Sequence, residues 1–314
     1  MIAQSNAAAL AQMQLGPYAW FDGEVVRTDD LAIHSFTHAL HYGSGVFEGI
    51  RAYETPRGPG IFRLREHMAR LERSAKVYSL DLREDVATMC KHVVDTTRVN
   101  AMKSAYIRPL VYFGVGTVAL AAKFHCPTHV FIGMRALDGY FGERHKGIRV
   151  ALSPWRKFSS SALPATVKAC GHYANSVLAM QDAITRGFAE AILLNDRGEI
   201  AEGTGENVFF VKDGHLYTND SSADALDGIT RDSVLKLAKD RGIPTTIRAM
   251  TLDDLLGADE VFLTGTAAEV TAVECIDDHQ FSGERPMAET LAAAYMKAVR
   301  GEDEHHSDWV TYVD

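Results

Sequence analysis

The sequence predicts a mixed α/β (α+β) protein built from two domains. Its 314 residues exceed the size of one typical domain of about 150 residues. Strand-like runs and helix-like periodicity are mixed in both halves, which favours two α/β layers around separate cores. We expect a small N-terminal domain over 1–140, a linker over 141–147 and a larger domain over 148–314, with a ligand bound between the domains.

Composition narrows the class of protein. Hydrophobic residues make up 46% and charged residues 23%, which is typical of globular chains, and the net charge of −9 argues against a nucleic-acid or membrane partner. The sequence contains no apolar run of about 18 residues and no secretory signal pattern. The four cysteines lie far apart without a CxxC pair, which favours reduced thiols. We therefore expect a cytoplasmic protein.

The first half predicts a hairpin, four strands and two helices. An Asp-Gly pair between apolar runs predicts a β-hairpin over 18–26. Apolar residues at helical spacing predict helices over 66–78 and 85–99. Runs of β-forming residues predict strands over 47–53, 60–63, 105–113 and 128–134.

The second half follows a polar segment at 138–146 that is typical of a linker. Strands are predicted over 149–153, 190–194, 208–211 and 260–264. Helices are predicted over 173–185, 230–240 and 287–299, the first of them closed by Gly187.

Lys168 is the most informative single residue. It stands among small and apolar residues just before a predicted helix. Burial would disfavour its charged form and make the amine a nucleophile for a carbonyl. Tyr173, five residues later, could hydrogen-bond an oxygen of the same ligand. The alternative is an exposed loop lysine.

Glu202 follows an apolar dipeptide after a turn, so its carboxylate could point into a pocket and hold a cationic ring nitrogen. Gly203 and Gly205 would let the backbone approach a ligand closely. A solvated carboxylate at a turn is the alternative interpretation.

Two further segments could bind an anion through backbone N–H groups. Thr230 stands at the start of a predicted helix, where N–H groups suit a phosphate, although ordinary capping explains it equally. Thr264–Glu269 leaves a strand through small residues, and a plain turn is its alternative.

Two arginines could complete an anionic site. Arg70 lies on or near the apolar face of the first predicted helix. Arg108 interrupts an otherwise apolar strand, and a buried charge there needs a partner. That partner could be a ligand carboxylate or an acidic side chain.

His34, His38 and His41 would share one face of a helix. A metal site is the tempting interpretation, but no glutamate is interleaved as in His-Glu-x-x-His. We predict that these histidines serve packing and hydrogen bonding, and we predict no metal.

Together, seven ordered motifs resemble those of the class IV (fold type IV) pyridoxal-phosphate enzymes, most closely the branched-chain amino-acid aminotransferases. The resemblance runs from about residue 20 to residue 311. The motifs are His41–Arg51, Phe62–Leu71, Tyr106–Pro109, Lys168–Tyr173, Glu202–Asn207, Gly228–Asp232 and Thr264–Glu269.

The resemblance implies pyridoxal 5′-phosphate as cofactor. Lys168 would bind its aldehyde covalently and later move the proton between Cα and C4′. Glu202 would keep the pyridine nitrogen protonated, so that the ring accepts electrons, and Tyr173 would hydrogen-bond the 3-oxygen. The other implied cofactor-binding positions are Arg70, Gly205, Asn207, Ile229, Thr230, Gly265 and Thr266, of which Arg70, Ile229, Thr230 and Thr266 would hold the phosphate.

The resemblance also implies a substrate pocket. Arg108 would bind the distal carboxylate of glutamate, and the N–H groups of Ala267 and Ala268 would bind the α-carboxylate. Phe47, Tyr42, Tyr106 and Tyr140 would form an apolar wall. Gly49 and Arg51 complete the implied substrate-binding set.

The implied reaction is a reversible amino transfer between leucine, isoleucine or valine and 2-oxoglutarate. Amino acids and 2-oxo acids would be the small-molecule partners of a homodimer or higher homo-oligomer. The open alternatives are a D-amino-acid aminotransferase, an (R)-amine transaminase, an aminodeoxychorismate lyase and a non-catalytic binder. A dinucleotide oxidoreductase would need a Gly-x-Gly-x-x-Gly turn, which is absent from the sequence.

A few positions depart from the family pattern. Cys170 and His172 stand where the family usually has Gly and Asn, and Asp227 stands where Pro is common. Ser44-Gly45 replaces Thr-Ser. None of these changes removes a catalytic group. We predict that Asp227 points away from the phosphate, because like charges repel.

Overall fold

The computed structural model describes residues 12–137, 147–281 and 283–313. The chain divides into two compact units, one of 1–138, 168–171 and 298–314, the other of 139–167 and 172–297. The predicted boundaries differ, because they assigned everything after residue 147 to the second domain. The C-terminus groups with the first unit through a strand, Val310–Tyr312, that pairs with Gly58–Phe62.

The first hairpin forms where it was predicted. Strands β1 (Tyr18–Phe21) and β2 (Glu24–Arg27) are joined by Asp22 and Gly23. Both turn residues have positive φ, 48° and 108°, as the favoured two-residue hairpin turn requires at its two central positions.

The first unit is built on an antiparallel sheet. Its further strands are β3 (Gly45–Phe47), β4 (Ile50–Thr55), β5 (Gly58–Phe62), β6 (Ala105–Phe113), β7 (Thr128–Ala136) and β17 (Val310–Tyr312). In the described part of the unit the order is β17-β5-β4-β6-β7-β1-β2, with β3 also paired to β6.

The single strand predicted over 47–53 is wrong, because the structure divides it into β3 and β4. Both pieces pair with β6 in one register, with Phe47 opposite Leu110 and Ile50 opposite Ile107. Pro109 lies between these pairs and has no N–H to donate, so the ladder is interrupted there. The interruption leaves Glu48 and Gly49 outside the regular strands.

Two helices of the first unit, α2 (Leu64–Val77) and α3 (Val86–Asn100), follow the predicted apolar spacing. A short helix, α1 (His38–Tyr42), comes before them in the described residues. Helix α2 buries Met68, Leu71 and Ala75, and it packs against α3 and β3. Asp85 caps α3 by accepting a hydrogen bond from the Thr88 N–H.

The second unit contains a mixed sheet. Its strands are β8 (Ile148–Leu152), β9 (Glu190–Leu194), β10 (Ile200–Gly203), β11 (Asn207–Lys212), β12 (His215–Thr218), β13 (Thr245–Ile247), β14 (Glu260–Gly265), β15 (Glu269–Ile276) and β16 (His279–Gln280). The order in the described residues is β10-β9-β8-β15-β14-β11-β12-β13, with β16 on β15. The pairs β8–β9, β8–β15 and β12–β13 are parallel. Together with the first unit, this sheet confirms the mixed α/β class.

Helices cover the second sheet. They are α4 (Tyr173–Thr185), α5 (Ile229–Asp240), α6 (Leu252–Leu256) and α7 (Pro286–Val299), whose last two residues group with the first unit. Helix α4 packs on β8 and β9 through small residues, among them Ala179, Ala183 and Ala191. The helix and strand predicted over 173–185 and 190–194 have these same bounds.

Within the three described stretches, every helix is too short or too polar to span a bilayer.

Candidate active site

Lys168 is held by backbone hydrogen bonds between β3 and α2. Ala169 forms a β-bridge with Val46, and the Phe47 N–H donates to the Lys168 carbonyl at 3.0 Å. The Lys168 N–H donates to Ser74 Oγ on α2 at 3.2 Å. The backbone of Lys168 is therefore anchored to the first unit, although the residues on either side of 168–171 belong to the second.

Two glycines allow this strand-like contact. The Gly171 N–H donates to the Gly43 carbonyl at 3.1 Å. A Cβ on Gly43 would lie only 2.6 Å from the Gly171 Cα, and Gly43 also has a positive φ of 61°. Any larger residue at 43 would therefore push the segment carrying Lys168 away.

The Lys168 side chain is partly buried, so the alternative of an exposed loop lysine is wrong. Its Nζ lies 5.1 Å from the centre of the Phe47 ring. Burial lowers the pKa of the amine from its usual value, and the positive charge of Arg70 lowers it further, while Glu48 opposes the shift. The shift is towards the neutral amine, which is the nucleophilic form.

Arg70 belongs to a buried ion cluster that sequence reasoning missed. Its Nε and Nη2 donate to the two carboxylate oxygens of Glu48 at 2.6 and 2.9 Å. His67 Nδ1 lies 2.7 Å from Glu48 Oε2. Glu48 occupies the interruption between β3 and β4, and the only sequence signal for it is a polar residue inside an apolar run.

The charges within this cluster shift the pKa values of Glu48 and His67. Burial raises the pKa of Glu48, but the charges and hydrogen bonds of Arg70 and His67 outweigh burial, and the pKa lies well below its usual value. Burial lowers the pKa of His67 despite the opposing carboxylate. The cluster therefore holds a bidentate ion pair between Glu48 and Arg70.

Arg108 is exposed, so the expectation of a buried charge in an apolar strand is wrong. Side chains alternate along β6, which places Ile107 in the core and Tyr106 and Arg108 together on the other face. Arg108 Nη2 donates to Tyr106 Oη at 2.9 Å, and its guanidinium lies 4.6 Å from the Phe47 ring centre. A Cβ on Gly49 would fall 2.0 Å from Tyr106 Oη, so only glycine leaves room for this tyrosine.

In the second unit, Glu202 is buried, so the alternative of a solvated turn carboxylate is wrong. Its Oε1 lies 2.5 Å from Lys157 Nζ, and its Oε2 accepts from the Leu226 N–H at 2.8 Å. Lys157 was missed because it stands in a polar, serine-rich loop that gives no sign of burial.

Glu190 and Glu206 form a second buried group near Glu202. Glu190 Oε1 accepts from the N–H groups of Ala191 and Thr204, and Glu206 Oε2 accepts from the Gly205 N–H. Burial and the charge of Glu190 raise the pKa of Glu206 well above its usual value, and Glu202 adds to this shift. Glu190 Oε2 lacks an N–H or hydroxyl partner in the described residues, so a proton on Glu206 satisfies it.

Among the described residues, no side chain caps the start of α5. Its N-cap is Gly228, and Ile229 and Thr230 are both buried. Ordinary capping by Thr230 is therefore wrong, and the free N–H groups suit an anion. Asn207 anchors the preceding loop by donating to the Leu226 carbonyl at 2.8 Å. Asp227 is exposed.

The remaining sequence-predicted residues are spread over both units. Tyr173 opens α4, Gly265 ends β14, and Thr266 and Ala267 lie partly buried in the following turn before the buried Ala268. Thr264, in the same stretch of chain, has a buried hydroxyl without a hydrogen-bond partner among the described residues.

Two further predicted residues make their own hydrogen bonds in the first unit, and a third lies outside the described residues. Arg51 is buried and donates to the Leu137 carbonyl at 3.3 Å. Tyr42 is exposed and donates to the Val118 carbonyl at 2.6 Å. Tyr140 lies outside the described residues.

The histidines make the hydrogen bonds that the sequence predicted. His38 contacts Ser44 Oγ at 2.6 Å, and His41 contacts the Ser35 carbonyl at 2.8 Å. His34 precedes α1, so the three side chains do not share one helical face.

The chain is similar to known aminotransferases in both sequence and structure. The family model described as amino-transferase class IV matches residues 45–276. A branched-chain-amino-acid aminotransferase of Escherichia coli (strain K12) is 39% identical over 301 residues, covering 95% of this chain and 97% of the relative. A solved branched-chain aminotransferase from Thermoproteus uzoniensis with norvaline gives a TM-score of 0.91 at 38% identity, covering 95% of this chain and 99% of that one. The T.th. branched-chain amino acid aminotransferase complexed with N-(5′-phosphopyridoxyl)-L-glutamate gives 0.91 at 40% identity and the same coverage.

Glu206→Gln tests the proton held between Glu206 and Glu190. Above pH 4.5, the ordinary glutamate value, the unfolded chain releases a proton that folded Glu206 keeps. The free energy of unfolding therefore decreases as pH rises through this window, by about 1.4 kcal/mol per pH unit for one retained proton. Gln donates to Glu190 without needing that proton, so we expect the variant to lose this slope in thermal unfolding measured from about pH 5 to 9.

Glu302→Gln, which removes an exposed carboxyl, is the control for a change of one charge. We expect it to keep the wild-type slope. Parallel pH profiles for Glu206→Gln and the wild-type protein would contradict the shared proton.

Proposed function

The chain belongs to the class IV aminotransferases, and from this membership we propose that it transfers the amino group of L-leucine, L-isoleucine and L-valine reversibly to 2-oxoglutarate. One observation carries the proposal: Lys168 is anchored by backbone hydrogen bonds, with an amine whose pKa is lowered by burial and by Arg70. The branched-chain aminotransferases that resemble the chain over nearly its whole length support the choice of substrate.

The donor set fits pyridoxal 5′-phosphate. The uncapped start of α5 suits its phosphate, and the buried carboxylate of Glu202 suits its protonated ring nitrogen. When bound, pyridoxal phosphate supplies an aldehyde that takes up the amino group and a ring that withdraws electrons from the substrate Cα. A phosphopyridoxyl group bound to a similar enzyme supports this assignment.

Each predicted site residue receives a role on this proposal. Lys168 Nζ would take the proton from the substrate Cα and would deliver it to C4′, the former aldehyde carbon of the cofactor. The amine must be neutral to accept that proton. Glu202 would hold the ring nitrogen protonated, and Tyr173 would donate to the ring oxygen. Arg70, Ile229, Thr230 and Thr266 would hold the phosphate, while Gly205, Asn207 and Gly265 would shape the backbone around the cofactor.

The face formed by Phe47, Tyr106 and Arg108 would bind two kinds of substrate side chain in turn, one apolar and one acidic. Aromatic rings suit the apolar chain of leucine, and the exposed guanidinium suits the distal carboxylate of glutamate. The N–H groups of Ala267 and Ala268 would bind the α-carboxylate. Tyr42, Gly49, Arg51 and Tyr140 complete the proposed substrate set.

We also propose that the protein is a homo-oligomer whose first units meet through an exposed apolar patch. The patch comprises Ile33, Phe36, Leu40, Tyr42, Val115, Val118, Leu120 and Phe124, each 46–80% exposed. The hydrogen bond from Tyr42 to Val118 joins its two segments. Apolar patches of this kind are typical of interfaces, and a second copy is the occupant that the family resemblance implies. The free state of all four cysteines supports a cytosolic location.

Leu120→Asp tests the oligomer. Leu120 is 80% exposed, so the change should leave the folded subunit intact, whereas a carboxylate inside an interface loses its water. We expect the variant to lower the mass measured by analytical ultracentrifugation to that of one chain. Ile247→Asp, at a residue 48% exposed in the other unit, should keep the wild-type mass. A monomeric wild-type protein, or an unchanged Leu120→Asp oligomer, would overturn the proposal.

Lys168→Ala tests the activity. Removal of the nucleophile should reduce leucine-dependent formation of glutamate from 2-oxoglutarate by about a thousandfold or more. Borohydride reduction followed by peptide mass spectrometry should place a phosphopyridoxyl group on the wild-type peptide that contains Lys168. Lys239→Ala, an exposed lysine on α5, is the matched control and should stay active.

A panel of amino donors separates the proposal from its rivals. L-leucine should be the preferred donor over D-alanine and over an aryl amine. Preference for D-alanine would indicate a D-amino-acid aminotransferase, and preference for the amine an amine transaminase. A wild-type protein that binds no pyridoxal phosphate would contradict the proposed function at its first step.

A further inference from the structure

Lys157 is a buried lysine that no proposed catalytic step uses. It is 6% exposed, and its N–H donates to the Leu194 carbonyl at 2.8 Å, which ties the loop to β9. Its Nζ lies 4.3 Å from the centre of the Phe158 ring. Lysines are seldom buried without a partner, because the charge loses its hydration.

The partner of Lys157 is Glu202. Lys157 Nζ lies 2.5 Å from Glu202 Oε1, and the two side chains are 8% and 10% exposed. The other carboxylate oxygen accepts from the Leu226 N–H at 2.8 Å. Glu202 is thus fixed from two directions, by a cation on one oxygen and by the backbone on the other.

Two further acidic side chains lie near the pair of Lys157 and Glu202. Glu206 and Glu190 are buried beside β10, and the charge of Glu202 contributes to the raised pKa of Glu206. His172 packs on Phe158, with ring centres 4.8 Å apart, and its charge state responds to both Lys157 and Glu202. Burial lowers the pKa of His172, and the charge of Lys157 lowers it further, so this histidine adds no second cation.

We propose that Lys157 is the positioning residue of Glu202, a buried counter-ion that keeps this carboxylate charged and aimed. The inference rests on the proposed function, in which Glu202 holds a protonated ring nitrogen. Without Lys157, Glu202 would be an unpaired buried charge next to two further acids, and it would take up a proton or turn away. A neutral Glu202 no longer stabilises a positive ring nitrogen.

Lys157→Met and Lys157→Arg test the role of the charge. Met keeps the apolar stem without the ammonium group, and Arg keeps a cation. We expect Lys157→Met to lower kcat for leucine about tenfold or more, since loss of the ammonium group leaves the buried Glu202 carboxylate without its counter-ion. The KM for leucine should stay within about twofold, because Lys157 has no proposed contact with substrate. Lys157→Arg should restore most of kcat.

A second readout does not depend on turnover. Fluorescence titration of the cofactor-free protein with pyridoxal phosphate should show about tenfold weaker binding for Lys157→Met than for the wild-type protein at the same pH. The thermal midpoint of the cofactor-free variant measures any loss of folding. If Lys157→Met unfolds at a lower temperature, Lys157→Gln, which keeps a hydrogen-bond donor, takes its place.

A double-mutant cycle that combines Lys157→Met with Glu202→Gln separates positioning of Glu202 from a purely structural role of Lys157. If Lys157 acts through Glu202, Lys157→Met should have little further effect on kcat or cofactor binding in the Glu202→Gln background. An equally large effect in both backgrounds, or unchanged cofactor binding and kcat in Lys157→Met, would overturn the inference. Wild-type protein without cofactor binding would instead overturn the proposed function itself.

Discussion

The site depends on one electrostatic constraint: the partly buried amine of Lys168 lies within the influence of a second basic side chain, the buried Arg70. Glu48 pairs with the guanidinium of Arg70 through both oxygens, so that cation keeps a counter-ion. The lysine gains less from Glu48 than burial and Arg70 remove, and its pKa falls. The chain thereby keeps one permanent positive charge and one amine that releases its proton readily. Aminotransfer needs both, an anion holder and a nucleophilic base.

Backbone geometry enforces this constraint. The bridge between Val46 and Ala169 fixes the segment that carries Lys168, and the contact of Gly43 with Gly171 permits it. The second unit also holds a proposed site residue in place: Lys157 and a backbone N–H both bind the carboxylate of Glu202. In both units a proposed site residue is positioned by groups to which the proposal gives no reacting role, as preorganised sites require.

The sequence predicted those parts whose signal is local. The helix Tyr173–Thr185 and the hairpin at Asp22-Gly23 follow from periodicity and turn chemistry, and Lys168 and Glu202 stand out through their neighbours. The pairing of partners distant in the chain, such as Glu48 with Arg70 or Lys157 with Glu202, gave no local signal, because burial of a charge depends on tertiary contacts. Arg108 was misjudged because the apolar composition of β6 hid its two-residue alternation, which places Ile107 inward and Arg108 outward.

The most direct test of this account is the pKa of the Lys168 amine in the cofactor-free protein. Nuclear magnetic resonance of protein labelled with ¹⁵N-lysine, with the signal assigned through Lys168→Arg, reports the titration of that one nitrogen. The account predicts a midpoint below the ordinary lysine value of 10.5. A Lys168 signal that titrates at 10.5 or above would contradict it.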